Sequence, residues 1–401
     1  MVAALALYPL VYEVLETFVV DQVPVIGSVI GAFVPSLTFM IVVIYIGLFT
    51  MSFDFISGYT GYLSFGHAAF FGTGAYFVLL VSRDKIPLLP ADTPFMLTLV
   101  LGATVAAALA LAIGAVSFRL TGVYFAMITL GFAQVIYEAI RYLDWVGSNP
   151  TDGISAGIDE AFRIGVPYVD QLSLGISRLR GTSFGEIPGL GIEFGGTLVS
   201  YYALGLVALV CYFAMQRIIH SPFGRVMIAI RENEERARAV GYNVFWYKMG
   251  AFAMSAFFGG VAGALFAGYR RTVSPENTYY FLVTADALIT AIIGGLGTLA
   301  GALYGNLFHQ TLEDILTTRN DGIATLLREL VPEGIYEAEV VGLSLDLVVS
   351  SAVDGRAPLY LGIVFVLFVL YVPNGLLGTV RDRIGGTAAE HLPGAIARYR
   401  R

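Results

Sequence analysis

Ser64 and His67 stand in GYTGYLSFGHAAFFGTGAY, residues 58–76, bracketed by glycines in an otherwise apolar stretch. A hydroxyl and an imidazole placed there could offer uncharged hydrogen bonds to something crossing the chain. They do not make a metal site, because no second His, Cys or carboxylate lies at ligand spacing on that element. The four histidines, at 67, 220, 309 and 391, are scattered with no nucleophile or metal pattern between them, so an enzyme acting within the membrane finds no support. Asp286 lies in an apolar run, and a carboxylate within a membrane is a functional hypothesis by default. Hydration near the outer boundary is the alternative reading of Asp286. A single cysteine, Cys211, excludes an internal disulfide and cysteine-built clusters; its apolar setting reads as burial. Lysine occurs only at 85 and 248, and G-x-x-x-x-G-K-[ST] is missing, so the chain carries no P-loop. No series of buried charges marks an ion relay, which leaves an ion-coupled secondary transporter unsupported.

The elements that must position these residues are those of a membrane protein. Of 401 residues 57% are hydrophobic and 13% charged, with a mean hydropathy of +0.76, against about 25% charged in soluble domains. The net charge of −7 argues against nucleic acid as a partner. Apolar runs predict an all-α polytopic membrane protein of about ten transmembrane helices, near 2–20, 36–56, 63–82, 95–117, 123–143, 198–216, 249–269, 281–297, 299–316 and 359–374. Residues 2–20 carry Glu13 and Glu16 and read as either a span or an interfacial helix. With both termini cytoplasmic, the inner segments 57–62, 118–122, 217–248 and 375–401 hold 12 Lys and Arg in 70 residues, against 10 in 134 outside. That density favours the orientation, with 375–401 as a basic cytoplasmic tail. The outer excursions are then 144–197 and 317–358, in which 323–331 and 340–349 read as short elements lying against the bilayer.

Three stretches need explanation. Each glycine of 58–76 lowers helix propensity by up to about 1 kcal/mol, so broken helix is expected there, shielded from lipid. It serves either as a pathway element through Gly58, Gly61, Ser64, Gly66 and His67 or as close helix packing. In 221–248, Ser221 caps a helix with Pro222 at its first position. Val226, Met227, Ile230, Ala237 and Val240 form one apolar stripe, Gly241 stops the helix, and Glu232–Arg236 and Glu234–Arg238 are i,i+4 pairs. Such a helix reads as an interfacial connector or as a docking knob for a soluble partner. In 249–308, Gly259 and Gly263, and then Gly297, Gly301 and Gly305, form small-residue faces. The tight turn between the eighth and ninth spans falls at Gly294, Gly295 and Gly297.

These motifs, with GSNPTDGI at 147–154, GRVMIAIRENEERARAVGYNVFWYKMGAF at 224–252 and LYVPNGLLG at 370–378, resemble the permeases of bacterial and archaeal ABC importers for branched-chain amino acids, specifically the longer membrane subunit. The resemblance covers some 320 residues in order. It implies a ten-helix importer fold in the cell membrane and a pathway shared with a sister permease. It also implies two cytoplasmic ABC ATPase subunits that bind ATP and Mg, and an extracytoplasmic substrate-binding protein. No cofactor is expected on this chain. Arg225, Ala229, Arg231, Glu232, Asn233, Glu234, Ala237 and Gly241 fall in the loop that receives the ATPase. Ser64, His67, Asn149 and Thr151 are the candidate uncharged polar groups of the path. Outer insertions near 163–196 and 317–357 depart from the pattern. Permeases for urea and short amides share the architecture and are the alternative.

Overall fold

The computed structural model describes residues 2–15, 35–143, 145–146, 153–157, 162, 196–317, 357–372 and 375–379. Asn149 and Thr151, the elements at 323–331 and 340–349, most of both outer excursions and residues 380–401 lie outside them.

Ten helices overlap the ten expected spans. The first five are α1 (Val2–Leu15), α2 (Leu37–Thr60), α3 (His67–Ser82), α4 (Phe95–Ser117) and α5 (Val123–Tyr142). A two-residue strand β1 (Ile154–Ser155) and α6 (Gly196–Ile219) follow, then the short helices α7 (Pro222–Glu232) and α8 (Glu234–Ala239). Next come α9 (Val244–Arg270), strand β2 (Thr272–Val273), the single turn α10 (Pro275–Thr278), α11 (Phe281–Gly294), α12 (Leu299–Thr317) and α13 (Ala357–Tyr371). Among the described residues, six helices are long and apolar enough to cross a membrane, and the pair α11–α12, bent by 110°, supplies a seventh as a broken span or re-entrant loop. The count of ten is not reached on length. α1 and α11 have 14 residues and α3 has 16, or about 21–24 Å of rise against a hydrocarbon core of about 30 Å.

The glycine-rich stretch breaks the helix. Gly61 caps α2 at φ +77°, its N–H returning to the Ser57 carbonyl, and helix resumes only at His67, four residues later than the expected span. α2 and α9 form the buried centre, whereas α4, α5 and α6 leave apolar faces uncovered, as lipid-facing helices do. Close approach explains the glycines of α9. A Cβ at Gly263 would lie 1.8 Å from the Phe71 carbonyl oxygen, and Gly260 meets Ala103 and Ala106 of α4. Gly259 faces Ser52, His67 and Phe70. In the same way Gly294, Gly301 and Gly305 bring α11 and α12 backbone to backbone.

The loops gather at two ends. At one, Arg83 donates to Ser155, Lys85 to the Trp145 carbonyl, and β1 pairs antiparallel with β2 in the register Ile154–Val273 and Ser155–Thr272. This ladder is a small exception within a mostly helical fold, and its two residues are too few to show alternation in sequence. At the other end 57–62, 118–122, 217–248 and the turn 295–298 meet. Asp286 lies between the two ends of its helix, five residues from Phe281 and eight residues, or about 12 Å of helix, from Gly294.

Candidate coupling site

The charged loop between α6 and α9 folds into two helices, not one. Ser221 accepts a hydrogen bond from the Gly224 N–H and Pro222 opens α7. At Asn233 the backbone is extended, and the Asn233 side chain takes the Arg236 N–H at 2.8 Å to start α8. The break moves Glu232 and Arg236 off helical register, so among the described residues that pair does not form, whereas Glu234–Arg238 forms at 3.0 Å. Val226, Ile230 and Ala237 pack with Val244, while Val240 is exposed and leaves the stripe. Gly241 follows at φ +99°.

Two latches tie this loop to the membrane-embedded helices. In the first, Arg231 Nη1 donates to the Gly58 carbonyl at the end of α2. Beside it, Asp54 Oδ1 accepts the Gly297 N–H at 2.7 Å. Asp54 is fully buried, and a Cβ at Gly58 would lie 2.3 Å from Asp54 Oδ1 and 2.4 Å from the Gly297 nitrogen. The α7 helix, the end of α2 and the turn of the bent pair thus meet at one point.

In the second latch, Lys248 Nζ donates to Tyr62 Oη at 3.0 Å and to Glu234 Oε1 at 3.1 Å, and the Tyr62 hydroxyl donates to Glu234 Oε2 at 2.5 Å. Lys248 is 2% exposed, and its ammonium also lies 4.6 Å from the Tyr62 ring centroid and 5.5 Å from that of Phe118. Burial pushes the Glu234 carboxyl up, but the hydrogen bonds from Tyr62 and Lys248 and the charges of Lys248 and Arg238 outweigh it, leaving its pKa below the usual carboxylate value. Burial, then the hydrogen bond to Glu234, push the Tyr62 hydroxyl up, so Tyr62 stays a neutral donor. This latch joins α8, the break after α2 and the first turn of α9.

The outward face of α7 is free of these contacts: Arg225, Ile228, Ala229 and Glu232 are exposed, and so is Asn233 beyond it. Ala237 is turned the other way, into the protein. Ser64 and His67 are also buried within the chain. His67 Nε2 is 3.2 Å from the hydroxyls of both Ser52 and Ser255, between the rings of Phe49, Phe53 and Phe70. Gly66 packs on the Thr129 carbonyl and Gly61 beside Arg231. An apolar cavity of about 210 Å³ lies elsewhere, among residues such as Leu5, Ile44, Tyr201 and Leu303. Sequence reading missed Asp54, Tyr62 and Lys248. A carboxylate inside a span and one of only two lysines were the available signals.

The family described as branched-chain amino acid transport system / permease component matches residues 36–323. The high-affinity branched-chain amino acid transport system permease protein LivM of Escherichia coli (strain K12) is 26% identical over 312 residues, 75% of this chain and 69% of that protein. The probable branched-chain amino acid transport permease protein LivM of Methanocaldococcus jannaschii is 25% identical over 185 residues, 46% of this chain and 48% of that protein. The galactose/methyl galactoside import permease protein MglC of Escherichia coli (strain K12) is 28% identical over 220 residues, 51% of this chain and 57% of that protein. No solved structure gives a match. A polytopic helical chain matched through all of α2 to α12, with its charged loop seated on the embedded helices, belongs to the family of branched-chain amino acid transport system permease components.

Proposed function

We propose that this chain is the permease subunit of an ATP-driven importer of branched-chain amino acids, with ten membrane helices and both termini in the cytoplasm. It works with a sister permease, two cytoplasmic ABC ATPase subunits that carry the ATP and Mg, and an extracytoplasmic binding protein that delivers substrate. The chain itself transports and does not hydrolyse ATP. One observation carries the reading: the α7–α8 loop presents Arg225, Ala229 and Glu232 outward while Arg231 and Glu234 fix its other side to α2, the 295–298 turn and α9. ATPase closure pressing on α7 is thereby delivered to the helix break at 61–66 and the bent pair α11–α12. This rocks the chain against its sister and opens the path alternately to each side. LivM of Escherichia coli, named for branched-chain amino acids, matches more of the chain than the sugar permease does, 75% against 51%, which favours the amino-acid substrate.

Purification of the chain from its native membrane in mild detergent, with mass spectrometry of what accompanies it, tests the assembly. A second permease and two P-loop ATPases are expected, and the binding protein encoded with them should bind leucine, isoleucine or valine. Recovery of the chain alone, with ion-driven transport in liposomes, refutes the reading.

A further inference from the structure

α11 has the sequence FLVTADALITAIIG and runs from the end where the Tyr279 ring packs at a tilt against Tyr76 to the end where Gly297 meets Asp54. One side packs on its neighbours through Thr284, Ala287, Thr290 and Ala291. On the other side Phe281, Leu282 and Asp286 are exposed, and among the described residues none hydrogen-bonds the Asp286 carboxylate. A carboxylate on an uncovered helix face, five residues from Phe281 and eight from Gly294 in an apolar helix, cannot rest against lipid chains, which offer it neither hydrogen bond nor counter-charge. The face is therefore turned to a water-filled path or to another subunit. Chemistry on α12 converges on the same level. Glu313 is within electrostatic reach of Asp286, and His309, 8% exposed, has no hydrogen bond at Nδ1, which sits 3.9 Å from Glu313 Oε2.

We propose that Asp286 lines the substrate path and receives the primary ammonium group of the amino acid, so that this chain itself discriminates amines from neutral solutes. The inference rests on the importer reading for its substrate and deepens it. A zwitterion with an apolar side chain needs an anionic partner for its ammonium and apolar wall for the rest, and Asp286 flanked by Leu282 and Ile289 on one helix face presents both. A sugar or an amide has no ammonium and gains nothing from the carboxylate.

The test uses the assembled importer carrying Leu282→Cys, one turn from Asp286 on the same face. Cys211 is only 7% exposed, so the introduced thiol dominates labelling. A water-soluble methanethiosulfonate should label it, leucine should slow that labelling, and 4-methylpentanoate, the same skeleton without the ammonium, should not. Adding Asp286→Asn should weaken the protection by leucine about tenfold, the loss of one hydrogen bond to a charged group, while Asp286→Glu keeps it. Labelling only by membrane-permeant reagents, equal protection by both compounds, or protection that survives Asp286→Asn would overturn the assignment. Failure of the wild-type complex to import leucine, with ammonium-dependent protection intact, would instead overturn the branched-chain reading and leave the amine site standing.

Discussion

Truncating the two ends of the Glu234–Lys248 pair should have unequal effects on stability, because the two ends differ in their access to water. Lys248 is 2% exposed, whereas the Glu234 side chain is 21% exposed and also holds Arg238 at 3.0 Å. Glu234→Ala strands an ammonium that cannot hydrate. Removing one partner of a buried pair costs about 3–5 kcal/mol, and the Tyr62 oxygen and ring that remain reduce this to about 2–3 kcal/mol. Lys248→Met keeps most of the apolar stem, and Glu234 can turn toward water and Arg238, so the cost is about 1 kcal/mol. The double variant has no stranded charge and should lie close to Lys248→Met, giving a coupling energy of about 2–3 kcal/mol. Thermal unfolding of the purified variants in one detergent reads the order, and hydrogen exchange over 222–241 reads the loosening of the loop. A midpoint for Lys248→Met below that of Glu234→Ala, or a double variant that falls by the sum of the two, would refute the argument.

Arg231→Ala and Glu232→Ala should each lower transport and substrate-stimulated ATP hydrolysis without changing binding-protein affinity. Wild-type coupling in both would remove the α7 loop from the mechanism. Since the folded Glu234 pKa is depressed, its contribution to stability is fully present above the unfolded value of about 4.3 and is lost as pH falls through the lower folded value. A pH series of melting points should therefore decline on the acid side of that window, less steeply in Glu234→Gln. Asn233→Ala removes the α8 cap, worth about 1 kcal/mol, and should speed hydrogen exchange at 236–239 while leaving 222–232 unchanged. Gly263→Val places a side chain where 1.8 Å separates a Cβ from the Phe71 carbonyl oxygen, and should abolish accumulation of folded protein in the membrane.

Hydropathy alone located the helices, because twenty apolar residues in succession have few other destinations, and the glycines of 58–76 announced the break before His67. What stayed hidden depends on partners far away in sequence. Asp54 and Gly297 are 243 residues apart and Tyr62 and Lys248 are 186 apart, so neither latch leaves a local pattern. The stop at Asn233 was legible in principle, as an asparagine followed by two glutamates is a helix start. The i,i+4 charge pairs on either side masked it. The hydrogen-bond and ring partners of His67, such as Ser255 and Phe53, likewise lie far from it in sequence or across the helix break.

The meeting point of α2 with the bent pair is built from glycines held by two side chains, Asp54 and Arg231. A Cβ at Gly58 would lie 2.4 Å from the Gly297 nitrogen, and one at Gly375, at the start of the last described helical turn, 2.4 Å from the Gly295 Cα. Side chains absorb small displacements by changing rotamer, but backbones packed this closely leave no room for a side chain to do so. A displacement of the α2 end against the 295–298 turn therefore has little slack to take it up between the two backbones. In the proposed importer the junction would act as a fulcrum rather than a cushion, passing motion of the α7 loop on to the bent pair.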